Sequence, residues 1–285
     1  MEITASLVNQ LRQKTGAGMM DCKRALTEAN GDIEKAIEIL RKKGAAVAAK
    51  RAEKTANEGL VLTKIFNDGK TGVIVEVNCE TDFVANSDDF VQFANEVLNA
   101  VIAARPANVQ ELFDNNIDLK NKYTELLGKI GEKIEVSRFS IEDLDNGAFV
   151  DYVHPGSKLG VLIAFENTNG LMNKFAANGK DIAMQVAAMK PICTYREEVP
   201  KDIIDKETEI YKELARKEGK PENILEKIAT GRLNKFYQEN CLVEQMFIKD
   251  NSKTVGDLIK EFNTSNNGQV KIKEFKRYHL GDEKK

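Results

Sequence analysis

The N-terminal part of the chain has the hydrophobic spacing of three short amphipathic helices. Thr4 is a suitable N-cap for the first helix, and Gly16 follows its last turn. Asp32 begins the third helix, which Gly44 is expected to end. We therefore predict a compact helical module, followed by a basic, alanine-rich helical linker over residues 45–59.

After this linker the hydrophobic spacing changes from helical to alternating. The segments LVLTKIF and TGVIVEVN are separated by Asn-Asp-Gly-Lys, which predicts a β-hairpin with a tight turn. A polar loop follows, and then a helix, FVQFANEVLNAVIAA, that Pro106 ends. A second helix over about residues 109–131 leads to the strand KIEVSRF.

The second half of the chain repeats this plan. GAFVDYVH and LGVLIAFEN predict another hairpin, and the helix around KDIAMQVAAM ends before Pro191. A pair of charged helices over about residues 200–237 is expected to form an inserted antiparallel hairpin. The predicted fold is α+β with antiparallel sheets. Its expected units are a three-helix module with linker (1–54), a first α+β subdomain (55–140) and a related second subdomain that carries the helical hairpin (141–285).

The composition is that of a globular protein with a charged surface. Of 285 residues, 42% are hydrophobic and 31% are charged, which suits about two ordinary domains. The net charge of −3 does not predict general affinity for nucleic acids. We find no signal-peptide pattern and no run of about 20 apolar residues, so we expect a cytoplasmic protein without a membrane span. The four cysteines lie far apart and are expected to be buried thiols.

Residues suited to catalysis or metal binding are sparse. His154 and His279 are the only histidines, and neither has further ligands at metal-binding spacing. Asp88 and Asp89 have no evident nucleophile to serve and suit the N-terminus of a helix. KIFNDGKT resembles part of a phosphate-binding loop, but Lys64 stands where that loop needs glycine. We therefore expect a protein that is not an enzyme and has no cofactor or metal ion.

The basic segment 41–54 supports an alternative function, that of a nucleic-acid adaptor. Runs of lysine and arginine of this kind occur in nucleic-acid patches, but they are more often solvated helix ends. No aromatic residue is interleaved with the segment to stack on bases. The adaptor is therefore the less favoured alternative.

Two apolar features lie where water is expected. Met19 and Met20 follow a Gly-Ala-Gly turn, where only one of them can easily face the core. We group Met20 with Leu26 in the apolar pattern of the second helix. Phe83 lies in an acidic loop beside Asp82. Each feature alone suits local packing, but together they favour a protein-binding role.

The segments around these residues carry a family resemblance. LRQKTGAGMMDCKRAL and EVNCETDFVAN resemble the two signature segments of bacterial translation elongation factor Ts, and the order of modules agrees along the chain. The resemblance implies a ubiquitin-associated-like first module and a guanine-nucleotide exchange factor for the GTPase elongation factor Tu. It also implies that Thr81, Asp82, Phe83 and Val84 dislodge the magnesium ion of that GTPase.

Further contacts with the GTPase are expected in both halves of the chain. Arg12, Met19, Met20 and Lys23 are expected to bind its nucleotide-binding domain, and His154 another domain. No direct contact with nucleic acid or membrane is expected. A scaffold that binds the GTPase without changing nucleotide release is a further alternative. The role of the helical hairpin, including dimerisation of two copies, stays open.

Overall fold

The computed structural model describes residues 3–282, except for the side chain of Ala48. Its helices are α1 (Ala5–Thr15), α2 (Met19–Glu28), α3 (Ile33–Arg51), α4 (Asp82–Ala85), α5 (Asp88–Ala104), α6 (Val109–Asp114), α7 (Ile117–Ile130), α8 (Met172–Met189), α9 (Lys201–Lys217), α10 (Glu222–Asn240) and α11 (Val255–Asn266). Its strands are β1 (Glu58–Phe66), β2 (Thr71–Cys79), β3 (Ile134–Asp143), β4 (Gly147–Val153), β5 (Leu159–Glu166), β6 (Met246–Phe247), β7 (Asp250–Thr254) and β8 (Lys271–His279). None of the helices in this range has the length and apolar character that crossing a membrane requires.

The first three helices enclose a small core that includes the fully buried Cys22 and Leu26. The third helix, α3, does not end at Gly44, as we predicted, but continues to Arg51. Gly44 lies where α3 crosses α7, and a Cβ atom there would lie 2.1 Å from the carbonyl oxygen of Thr124. This glycine therefore permits close helix packing and does not terminate the helix. The first part of the predicted linker is the end of α3.

The first sheet has the strand order β1-β2-β3, and its neighbouring strands are antiparallel. The predicted β1–β2 hairpin is confirmed, and residues 67–69 of its turn have positive φ angles of 53°, 54° and 85°. The middle strand, β2, is buried along its whole length. Val73, Val75 and Val77 belong to a core shared with α5, α6 and α7, whereas Ile74 belongs to a core shared with the second sheet. This alternation follows from the period of two in a strand.

The helix predicted over residues 109–131 is instead two helices, α6 and α7. The break lies at Asn116, whose side chain accepts a hydrogen bond from the Leu119 amide (2.9 Å) and caps the new helix. Asparagine is a good N-cap because its side-chain oxygen satisfies an amide that no helical carbonyl reaches. The prediction of one continuous helix was therefore wrong.

The second sheet repeats the first. Its order is β4-β5-β8, again with antiparallel neighbours. In both sheets the pairing of the middle with the third strand shifts register, after Glu76 and after Ala164. In both halves the helix after the hairpin ends at a left-handed residue, Arg105 (φ 46°) or Lys190 (φ 47°), directly before proline. These details confirm the predicted α+β class and the relation between the halves.

The two sheets pack face to face through a separate core. Its buried members, which the two sheets and their flanking segments contribute, are Val61, Ile74, Leu144, Phe149, Leu162, Ala164 and Leu280. Gly160 in β5 allows this close approach, because a Cβ atom there would lie 2.5 Å from Cγ1 of Val61. Helices share cores with the opposite faces: α5, α6 and α7 with the first sheet, and α8 and α11 with the second.

Replacing Gly160 with alanine is expected to lower the free energy of unfolding by about 1–3 kcal/mol, because the methyl group overpacks the core between the sheets. Gly231→Ala is a matched control: this glycine lies within α10 and has open space beside it. Alanine there should raise the free energy of unfolding by about 0.5–1 kcal/mol, since alanine favours the helix. Denaturant titration measures both changes, and equal stability of the two variants would contradict this account of sheet packing.

The inserted helical hairpin is confirmed, and it consists of α9 and α10. Ion pairs join the two helices in antiparallel order, from Arg216 to Glu222 (2.8 Å) and from Lys212 to Glu226 (2.7 Å). At the base of the hairpin lie two of the four cysteines, all of which are free thiols. The short hairpin β6–β7 was not predicted, because its strands lack a run of alternating apolar residues.

Candidate protein-binding site

Phe83 is the most exposed of the large hydrophobic side chains that the structure describes, at 85%. The segment predicted as a polar loop contains a single helical turn, α4, which begins three residues after β2 ends. Val84 packs against the first core and Ala85 is buried, so the opposite side of the turn is anchored. Because Val84 and Ala85 occupy the inward side, Phe83 points to solvent.

The turn is capped from its own sequence. The Thr81 side chain accepts a hydrogen bond from the Val84 amide (3.4 Å) and forms the N-cap of α4. After the turn, Ser87 caps α5 by accepting a hydrogen bond from the Phe90 amide (3.4 Å). Asp88 and Asp89, which we expected at a helix N-terminus, lie in the first turn of α5. These local caps define where α4 and α5 begin.

Two glutamates that we did not assign to the site hold the turn from outside. Glu132 accepts hydrogen bonds from the Thr81 hydroxyl (2.9 Å) and from the Thr81 amide (3.1 Å). Glu80 accepts from the Arg51 guanidinium (2.8 Å) and from the Lys133 amide (2.6 Å). The sequence carries no local signal for these contacts, because the partners lie far apart along the chain.

Asp82 is exposed beside Phe83, and its carboxylate has no hydrogen bond or ion pair with residues 3–282. A hydrogen bond to Glu58 raises the pKa of Lys158, and the negative charge of Asp82 adds to this effect. Lys158 belongs to the turn between β4 and β5. The tertiary structure therefore brings a turn of the second half close to Asp82.

His154 begins that same turn and is exposed. Its Nδ1 lies 2.8 Å from the Tyr152 hydroxyl, and its carbonyl accepts a hydrogen bond from the Ser157 amide (2.9 Å). The Val61 amide of β1 donates to the Ser157 carbonyl (2.6 Å), which fixes the turn to the first sheet. His154 and Phe83 thus lie at the same end of the paired sheets.

The first module presents a second apolar feature. Met19 and Met20 are 56% and 64% exposed, so the expectation that one of them faces the core was wrong. Both lie in the first turn of α2, and the buried residues of this helix begin only at Cys22. Arg12 and Lys23 are also exposed and form no ion pair within the described part of the chain.

The first module is joined to the rest of the site through α7. Lys129 of α7 forms an ion pair with Asp89 (2.6 Å) at the start of α5. The Lys129 ammonium also lies 3.1 Å from the position that a Cβ atom on Gly16 would occupy, just before α2. Arg41 of α3 adds an ion pair with Glu125 of α7 (3.1 Å). The methionines are therefore carried on a module that packs directly on the first α+β half.

Comparison with known proteins decides the family. The family model described as Elongation factor TS matches residues 80–282. Elongation factor Ts of Chloroherpeton thalassium is 46% identical over 99% of this chain and 99% of its own length. Elongation factor Ts of Clostridium botulinum (strain Eklund 17B) is 44% identical over 98% of this chain and 93% of its own length. The chain belongs to the elongation factor Ts family. The predicted family resemblance is confirmed.

In this elongation factor Ts family member, the basic segment 41–54 is engaged within the fold. Arg41 pairs with Glu125, Lys43 with Asp21 (2.6 Å) and Arg51 with Glu80. Half of the cations that suggested a nucleic-acid patch therefore have carboxylate partners. The arrangement is typical of a helix end that packs on its own protein.

No side chains assemble into a metal centre in the part of this family member that the structure describes. Groups of three or more histidine, cysteine, aspartate or glutamate residues with suitable geometry are absent between residues 3 and 282. His154 contacts Tyr152, and the His279 ring accepts a hydrogen bond from the Gly281 amide (3.1 Å). The exposed groups of the site, Asp82, Phe83, His154 and the two methionines, suit contact with another protein.

Proposed function

We propose that this chain is the guanine-nucleotide exchange factor of elongation factor Tu and that Phe83 is the side chain that loosens bound GDP. Membership in the elongation factor Ts family supports the exchange function. The observation that supports the role of Phe83 is its 85% exposure on a turn that is anchored on its other side. Such a side chain is available for burial in a partner without unfolding its own support.

An exchange factor of this kind needs no bond-making chemistry. GDP is held in a GTPase by a loop around its phosphates and by magnesium. A protein that binds the empty GTPase better than the GDP-loaded one must weaken the binding of GDP by the same factor, because the coupling is reciprocal. Phe83 supplies such a difference if the crevice that receives it opens only when the magnesium site is disturbed.

Asp82 contributes a negative charge next to Phe83. Its carboxylate is exposed and has no partner within residues 3–282, so complex formation breaks no internal contact of this group. Placed beside the magnesium site, it competes for the polar groups that position the water ligands of the metal. Thr81 and Val84 serve the turn itself, as its cap and its anchor.

The energy of one phenylalanine limits what Phe83 does alone. Burying its side chain stabilises the complex by about 1.5–3 kcal/mol. At about 1.4 kcal/mol for each factor of ten, this lowers the affinity of the GTPase for GDP by roughly 10- to 150-fold. A larger effect requires additional anchors, and we assign these to Arg12, Met19, Met20 and Lys23 of the first module and to His154.

The direct test uses elongation factor Tu loaded with fluorescent GDP. Adding the protein together with excess unlabelled nucleotide should accelerate the release of the label, with a rate that saturates. Binding without acceleration would favour a scaffold. Affinity for nucleic acid that falls steeply with salt, without acceleration, would favour the adaptor that uses residues 41–54.

Replacing both Met19 and Met20 with alanine should weaken the complex with nucleotide-free elongation factor Tu by about 30-fold. Each methionine is already partly covered in the free protein, so its burial in the complex contributes only about 1 kcal/mol to binding, less than the burial of a fully exposed side chain. Point substitutions are preferable to deleting residues 1–54, because deletion would strip α3 from α7. Titration calorimetry measures the change. Ile117→Ala, which truncates another exposed side chain, should leave the affinity unchanged, and equal affinities of all three proteins would exclude the methionines as anchors.

The helical hairpin supports a second hypothesis, dimerisation of the chain. Ile210 and Leu214 of α9 are 39% and 42% exposed and lie one helical turn apart on the same face. Analytical ultracentrifugation of the protein and of the variant with serine at both positions tests it. A monomer at all concentrations would remove the hairpin as a dimer contact.

A further inference from the structure

Thr81, the cap of α4, has both of its hydrogen-bond donors directed to one carboxylate. The hydroxyl lies 2.9 Å from Glu132 Oε1 and the backbone amide 3.1 Å from Glu132 Oε2. Glu132 is half-buried and lies between the end of α7 and the start of β3. A bidentate contact to a charged acceptor fixes direction as well as distance.

The residue before the cap is fixed independently. One oxygen of Glu80 accepts from Arg51 at the end of α3 (2.8 Å), and the other accepts from the amide of Lys133 (2.6 Å). The Lys133 ammonium donates to the carbonyl of Ala52 (3.1 Å). The end of α3, the residue before the turn and the start of β3 therefore meet at one junction.

A third contact holds the carbonyl side of Thr81. The Cys79 thiol donates to the Thr81 carbonyl at 3.2 Å. Burial raises the pKa of Cys79 to about 12, and the negative charge of Glu132 adds to this effect. The thiol therefore keeps its proton and remains a donor at neutral pH.

We infer that Glu132 is a positioning residue for nucleotide exchange, which acts by aiming the turn that carries Phe83. This inference rests on the proposed function of Phe83. The physical reason is that one turn of helix is not stable alone, since too few hydrogen bonds offset the loss of backbone freedom. Glu132 contacts the cap and not the exposed face of the turn, so its contribution is to hold Phe83 in the orientation that the partner receives.

The test measures release of fluorescent GDP from elongation factor Tu over a range of concentrations of the full-length protein. Glu132→Ala should lower the maximal release rate by about tenfold, the scale of one hydrogen bond to a charged group. The concentration at half-maximal rate should change by less than about threefold, because the other anchors remain. Glu132→Gln keeps one acceptor oxygen in a side chain of the same shape, so its release rate should fall by less. This variant also provides the test if Glu132→Ala fails to fold.

The control replaces Asp143 with alanine. Asp143 ends the same strand, β3, and also accepts a hydrogen bond from a threonine hydroxyl, that of Thr71 (2.7 Å). Thr71 begins β2, so this contact lies at the opposite end of the sheet from Thr81. Asp143→Ala should leave the release rate unchanged. If Asp143→Ala and Glu132→Ala lower the release rate equally, the effect of Glu132 is explained by lower stability of the whole sheet and not by positioning.

A double variant separates positioning from other effects. In a protein that already carries Phe83→Ala, the further change Glu132→Ala should slow release by less than about twofold, since the aimed side chain is gone. If the slowing in the double variant equals the product of the two single effects, the positioning role is overturned. It is also overturned if Glu132→Ala releases GDP as fast as the unchanged protein. If Glu132→Ala is unfolded, the same result with Glu132→Gln overturns it. No effect of Phe83→Ala alone would instead count against the proposed function.

Discussion

Phe83→Ala is expected to lower the maximal rate of stimulated GDP release from elongation factor Tu by roughly 10- to 150-fold, the factor that corresponds to burying one phenylalanine. Because the ring is 85% exposed, its removal should change the free energy of unfolding by less than about 0.5 kcal/mol. The complex should still form through the first module and the second half. Stopped-flow release of labelled GDP at saturating protein measures the rate, and titration calorimetry measures the remaining affinity.

Ile117→Ala is the matched control for this experiment. Ile117 is 69% exposed, so its truncation also removes an apolar side chain from the surface. It begins α7, whereas the other end of that helix leads to Glu132 and the Phe83 turn. This control should release GDP as fast as the unchanged protein. If Phe83→Ala does the same, the ring has no part in exchange.

Arg138→Met is expected to lower the free energy of unfolding by about 3–5 kcal/mol, because it leaves a buried carboxylate without its ion-pair partner. Glu76 is fully buried in β2, and its Oε2 lies 2.8 Å from Arg138 Nε. The other oxygen, Oε1, has no hydrogen-bond partner within the described residues. Arg138 also stacks on the ring of Tyr278 at 4.2 Å, so it links the first sheet to the second. Denaturant titration measures the loss.

Arg105→Met is the control for the effect of exposure. Arg105 makes a two-bond contact with Asp143 (2.5 and 3.0 Å), but both side chains are about half exposed. Its loss should cost far less than the loss of Arg138, because solvent screens an exposed ion pair. Adding Glu76→Leu to Arg138→Met should recover much of the lost stability, since no buried charge then remains. A cost for Arg138→Met as small as that for Arg105→Met would show that the carboxylate is compensated in another way.

The elements with strong local signals were predicted well. The β1–β2 hairpin combines alternating apolar residues with an Asn-Asp-Gly turn, and the turn residues adopt the positive φ angles that these residue types tolerate. The ends of α5 and α8 were predicted from Pro106 and Pro191, which cannot continue a helix. The exposure of Phe83 agrees with its place among acidic residues, which resist burial.

The wrong predictions concern residues whose local signal has two physical meanings. Glycine ends helices but also permits close helix packing, and Gly44 does the latter against Thr124. Asparagine is tolerated within helices but caps them better, and Asn116 does so. An apolar side chain suits a core or a contact surface, and Met20 lies in the first turn of α2, before the buried residues of that helix begin.

By itself, the sequence determined the types and order of most of the elements, the duplicated halves and the family, because these depend on spacing and on motifs within a few neighbouring residues. The tertiary structure alone decided which distant groups meet. Glu132 reaches Thr81 across 51 positions and Arg138 reaches Glu76 across 62, once strand pairing brings β3 beside β2. Sheet packing likewise places Lys158 near Asp82. A charge in the sequence has many possible partners, and only the folded backbone selects one by distance and direction.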